Sequence, residues 1–90
     1  MLWKGWFSEM SEVLKQPAKR VVGTRQILKK FAKDDIRMLF VADNAQESLR
    51  LSLLSLAREH GAEVISVRTM EDLGKLCGIE VGAAAAGVLK

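Results

Sequence analysis

Gly23, Thr24, Arg25, Gln26, Lys29, Lys30 and Lys33 form the one stretch whose residue types and spacing suggest binding chemistry. Val21-Val22 has the β-branched character of a strand, and the glycine after it opens a basic amphipathic helix at once. The first N–H groups of such a helix have no partner inside it and sit at the positive end of its dipole, which suits phosphate. An arginine fork and a glutamine amide suit the hydrogen-bonding edges of bases, and the lysines suit backbone phosphates. The ordinary alternative is a solvated basic face opposite an apolar stripe of Ile27, Leu28, Phe31 and Ala32.

Other reactive types in the chain lead nowhere comparable. His60 is the single histidine and Cys77 the single cysteine. At a helix end, His60 is expected to compensate the helix dipole at the surface. Cys77 lies on an apolar stripe one residue before a glycine, the place of a core residue rather than a nucleophile. One Cys and one His do not make a usual zinc site, and one Cys makes no intramolecular disulfide. Asp34-Asp35 and Asp43-Asn44 resemble paired acidic groups at strand ends, but no glycine-rich phosphate loop accompanies them. No enzyme is expected.

With 90 residues, the chain has the size of one domain. A 49% apolar content and mean hydropathy of +0.08 fit a globular fold, and a net charge of +3 permits a polyanionic partner without requiring one. No apolar run approaches a membrane span, and Met1 to Glu9 lacks the apolar core and cleavage site of a secretory signal, so a cytoplasmic setting is expected.

The elements that must position the basic stretch follow from periodicity. Trp3, Trp6, Phe7, Met10, Val13 and Leu14 have the spacing of an amphipathic helix over Met1–Lys15, stopped at Gln16-Pro17. It would cover a face of the core or present its tryptophans to a partner or membrane surface. Met10-Ser11 is an alternative start, leaving residues 1–10 as an extension or the beginning of the first helix and 11–90 as one domain. Strands are expected at Lys19–Val22, Ile36–Ala42 and Glu63–Val67, and helices at Thr24–Lys33 and Gln46–His60. In the longer helix Leu49, Leu53, Leu56 and Ala57 make the stripe, widened by Leu51 and Leu54, and Gly61 stops it. Thr69-Met70-Glu71-Asp72 resembles a capping box for a helix that runs to Cys77 and stops at Gly78. Ile79-Glu80-Val81-Gly82 is expected to be a short exposed turn with unusually apolar members, or alternatively the start of a core strand. For Ala83–Leu89 helix propensity favours a helix, but the flanking glycines and the need of alternating elements for a partner strand favour β. The order β-α-β-α-β-α-β predicts an α/β class, a three-layer α/β/α sandwich with a mixed four-stranded sheet.

Three blocks together, Val-Val-Gly-Thr-Arg-Gln-Ile-Leu-Lys (21–29), Leu-Phe-Val-Ala-Asp-Asn-Ala (39–45) and Leu-Gly-Lys-Leu-Cys-Gly-Ile-Glu-Val-Gly-Ala-Ala-Ala (73–85), resemble the kink-turn-binding ribosomal-protein family of the large-subunit seven-Ae and thirty-e type, most closely its small bacterial members. The resemblance covers about residues 11–90. It implies a structured RNA containing a kink-turn as partner, with the ribosome as one setting, and no membrane, cofactor or small-molecule substrate. A family pattern Gly-x-Asn-Glu-x-x-Lys, which reads the guanines of tandem sheared G·A pairs, falls on Gly23, Arg25, Gln26 and Lys29. Arg25 departs from it, yet can donate two parallel bonds to guanine O6 and N7. The loop that packs on the bulged nucleotides falls on Ile79, Glu80, Val81 and Gly82. Lys19, Arg20, Lys29, Lys30 and Lys33 would neutralise backbone drawn together by the bend. Asn44 stands where the family commonly has Asp, and Glu47 where Pro is frequent. Two rival readings are a protein-interaction module using Trp3, Trp6 and Phe7, and a nucleotide-binding or receiver-like domain using Asp43 and Asn44.

Overall fold

A computed structural model describes residues 13–90. The expected tryptophan-bearing helix lies largely outside the described residues; of its members Val13 and Leu14 are seen, both helical, with Leu14 fully buried. A 3₁₀ turn at Pro17–Lys19 leads into β1 (Arg20–Val22), α1 (Thr24–Ala32), β2 (Ile36–Ala42), α2 (Glu47–His60), β3 (Glu63–Val67), α3 (Met70–Cys77) and β4 (Ala85–Leu89). The four strands form one mixed sheet in the order β1-β4-β2-β3. β4 runs antiparallel to both β1 and β2, whereas β2 and β3 are parallel. Lys19 thus belongs to the 3₁₀ turn rather than to the first strand, because Pro17 at the turn's start presets a helical φ.

β2 is buried along its length except at Arg37, as expected of a strand with neighbours on both edges and helices over it. Alternation along it sends Met38, Phe40 and Ala42 into one cluster with Leu14, Leu73 and Cys77. Leu39 and Val41 enter a second cluster with Ile27, Phe31, Leu53 and Ala57. The helices α1 and α2 therefore supply one cluster, and α3 with the N-terminal helical turn supplies the other. A register shift between Ile36 and Met38 lets Ile36 join Leu39 and Val41 despite the odd spacing.

The alanine-rich end is a strand. Ala85 and Ala86 are fully buried, one in each cluster. At Gly87 an added Cβ would lie 3.1 Å from Ile36 Cδ1, so the small residues let neighbouring elements close tightly on β4. Ala83 and Ala84 precede the strand, although Ala42 N–H still donates to the Ala84 carbonyl (2.9 Å).

Two expected stripes are narrower than their periodicity suggests. Ile27 and Phe31 are buried in α1, but Leu28 and Ala32 lie exposed on its flank. In α2, Leu53 and Ala57 form the buried line while Leu51 is 52% exposed. Helix stops are as expected: Gly61 and Gly78 take left-handed φ of 69° and 73°. Burial pushes the Cys77 thiol above its ordinary range, opposed by the positive charge of Arg20, so this cysteine is a core side chain.

At the end of α1 the chain turns through Asp34, which has a positive φ of 56°. Its carboxylate meets Lys90 Nζ and His60 Nδ1, each at 3.1 Å. The Lys90 contact first, and then the His60 contact, hold the Asp34 carboxyl below its ordinary value. A lowered carboxyl contributes stability above the ordinary carboxylate range and loses it as pH falls through the lowered value. The melting temperature of the native chain is therefore expected to fall more steeply below about pH 4 than that of Asp34→Asn, in a pH series of thermal melts. The effect is small, since the group is solvent-exposed.

Candidate RNA interface

Gly23 sets the geometry of the basic helix. Its φ of 96° and ψ of 145° belong to a region that side chains rarely enter, which is why a glycine stands between β1 and α1. No side chain caps α1, and the Gly23 carbonyl accepts first from Ile27 N–H (3.1 Å). The N–H groups of Thr24, Arg25 and Gln26 therefore face outward from the helix end. Arg25, Gln26 and Lys29 are exposed, Thr24 and Lys30 half-buried. Lys33 is the C-cap, seven residues beyond Gln26 and about 10 Å along the axis, so it lies at the far end of the same face.

The apolar loop is a loop and not the start of β4. Val81 is 70% exposed, Glu80 and Gly82 are exposed, and Ile79 is half-buried against the core. The strand begins at Ala85 because the preceding residues are held by α3 instead of by a neighbouring strand. Ile79 N–H donates to the Gly74 carbonyl (3.0 Å) and Ala83 N–H to the Met70 carbonyl (2.9 Å), which fastens both ends of the loop to one helix. Between those bonds, Gly74 has no side chain because the loop occupies the space. An added Cβ would lie 2.1 Å from the Val81 carbonyl oxygen, and one at Gly82 would lie 3.2 Å from Met70 Cβ. Beside the loop is a depression of about 340 Å³ lined by Glu71, Lys75, Ile79, Glu80, Val81 and Gly82.

These two regions come to the same end of the sheet. Gly23 N–H donates to the Ala85 carbonyl (3.3 Å), joining the start of α1 to the residue where the loop enters β4. Gly23, Thr24, Arg25 and Gln26 thus stand at the end where residues 79–82 emerge, whereas Lys30 and Lys33 trail away from it. Lys19, the last residue of the 3₁₀ turn, and Arg20, the first of β1, lie at the opposite end of that strand from Gly23.

Gly74 and Asn44 carry structural duties that their local sequence does not announce. Gly74 looks like one member of a Leu-Gly-x-x-x-Gly pattern, and its role as a seat for Val81 depends on a contact seven residues away. Asn44 accepts from Met70 N–H through Oδ1 (2.8 Å) and so caps α3, not the helix that follows it. The cap expected at Thr69 is present, its hydroxyl accepting from Asp72 N–H (3.0 Å). Among the described residues no His, Cys, Asp and Glu cluster could hold a metal ion, and no helix is long and apolar enough to cross a membrane.

Known proteins resemble this chain in sequence and in fold. It is 41% identical to a protein named RNA-binding protein from Bacillus pumilus over 69 residues, 77% of this chain and 84% of that one. It is 35% identical to the large ribosomal subunit protein eL8 of Halobacterium salinarum over 82 residues, 90% of this chain and 68% of that one. A 15.5kD RNA binding protein of Giardia lamblia shares the fold with a TM-score of 0.79 at 19% identity, covering 91% of this chain and 72% of that one. A family model matches residues 7–90, nearly the whole chain. With that match and those relatives, this chain belongs to the ribosomal protein L7Ae/L30e/S12e/Gadd45 family.

Proposed function

We propose that this chain is an RNA-binding protein that recognises kink-turns, duplexes sharply bent at a bulge flanked by tandem sheared G·A pairs, in ribosomal or other structured RNA of the cytoplasm. The observation that carries the reading is the bond between Gly23 and Ala85, which holds an uncapped basic helix end beside an exposed apolar loop. Each half suits one half of the RNA. Arg25 and Gln26 present donors and acceptors to base edges in the groove over the G·A pairs, and the outward N–H groups of residues 24–26 suit a phosphate. Ile79 and Val81 cover unstacked nucleotides of the bulge, while the depression beside them has room for a splayed base. Lys29, Lys30 and Lys33 follow the backbone away from the kink. Relatives named RNA-binding protein and eL8 support the RNA assignment.

Both contact regions are satisfied at once by the bent RNA, so the protein binds the kinked state better than the open one and shifts that equilibrium. End-labelled kink-turn RNA, kept open by low magnesium, is expected to close when protein is added, as read by energy transfer between its ends. RNA that binds without closing would overturn the reading. Titrations over a range of salt concentrations give a second check. If about four phosphates are neutralised, the logarithm of the binding constant should fall against the logarithm of salt with a slope of roughly −3 to −4.

A further inference from the structure

We infer that Asn44 is a positioning residue for the apolar loop at residues 79–82, acting through the first residue of α3. Its own turn is firmly held, because Asp43 N–H donates to the Val67 carbonyl (2.7 Å), Ala45 N–H donates to the Ala42 carbonyl (3.1 Å), and Ala45 is buried. From that base the Asn44 Oδ1 accepts from Met70 N–H at 2.8 Å. Met70 in turn carries the far end of the loop. Its carbonyl accepts from Ala83 N–H at 2.9 Å, and its Cβ lies 3.2 Å from where a side chain on Gly82 would begin. The near end of the loop rests on Gly74, one turn further along the same helix.

The loop's placement relative to the sheet is therefore set by where α3 starts. Among the described residues, the side-chain hydrogen bond that reaches this helix from another element is the one from Asn44. The Met70 N–H is a first-turn donor that the helix itself leaves unpaired, so the oxygen fixes the helix end without competing with any helical bond. Because Asn44 is exposed, its removal leaves the core intact and acts on the loop alone.

The RNA arm of the test rests on the kink-turn reading; amide exchange in the free protein does not. Asn44→Ala is expected to speed exchange several-fold at Met70 and Ala83 while the amides of β2 keep their protection. Asn44→Asp, which retains an oxygen acceptor, restores it. On RNA, Asn44→Ala should bind a complete kink-turn about five-fold more weakly, the effect of one hydrogen bond's worth of ordering. It should bind an RNA with the same G·A pairs but no bulge as the unaltered protein does. Unchanged exchange at Met70 and Ala83, acceleration spread through β2, or failure of Asn44→Asp to restore protection would each overturn the inference. So would an equal loss on both RNAs. A native chain that discriminates neither RNA sinks the kink-turn reading and leaves the exchange result to decide the positioning role.

Discussion

Gly74→Ala is expected to lower the melting temperature by roughly 5–15 °C and to weaken kink-turn binding more than about tenfold. Local preference says the opposite, since alanine in a helix interior is favoured over glycine by about 1 kcal/mol. The contact decides. The new Cβ would stand 2.1 Å from the Val81 carbonyl oxygen, 3.0 Å from its carbon and 3.2 Å from Gly82 Cα, all of them backbone atoms with no rotamer to yield. The loop has to retreat by about 1.3 Å or more to reach ordinary contact. That motion strains the Ile79–Gly74 and Ala83–Met70 bonds that fasten it. Overpacking costs about 1–3 kcal/mol, and against backbone atoms it falls toward the upper end, which leaves about 1–2 kcal/mol after the propensity gain. Thermal melts and a binding titration on the same protein check both halves, and an unchanged melting temperature would show that the loop does not rest on Gly74.

Arg25→Ala and Gln26→Ala are expected to act on RNA and leave the fold alone. Both side chains are exposed, so melting temperatures should move little. Each base contact is worth about 1–3 kcal/mol of discrimination, so affinity for a kink-turn should drop roughly five- to 150-fold, and the preference for G·A pairs over Watson–Crick pairs should shrink with it. Lys33→Ala provides the contrast. It stands about 10 Å from Gln26, and its loss should weaken binding to all RNAs alike and flatten the salt slope by about one. A Gln26→Ala protein with undiminished affinity and selectivity would contradict the groove contact.

The features legible from residue order are those decided within a few neighbours. The apolar run Ile36–Ala42, the left-handed stops at Gly61 and Gly78 and the Thr69 cap are local, and each stands where periodicity and turn chemistry predict. The exposure of Leu28 and Leu51 is decided by which neighbours a helix meets. α1 seats Ile27 and Phe31 in its core cluster, and the residues on either side of that line find nothing to cover them. Propensity favours a helix for Ala83–Ala86, and the space available between two packed layers overrides it. Within the candidate interface, the helix end at Gly23 is legible from the Val-Val-Gly step, whereas the φ of 96° there is seen only in the structure. The sequence of 79–82 predicts an exposed apolar turn but also admits a strand start; the bonds to Gly74 and Met70 decide for the turn. Asn44 and Gly74 act across 26 and seven residues respectively, a distance over which periodicity carries no signal.

The central claim is recognition of the kink-turn itself, and it is tested most directly by two titrations at one fixed salt concentration. One uses a standard kink-turn RNA, the other the same RNA with its tandem G·A pairs replaced by Watson–Crick pairs. Tight binding to the first and only weak, salt-sensitive binding to the second is the predicted result. Equal affinity for both would contradict it, and would reduce Gly23–Lys33 to a basic surface that binds RNA without reading it.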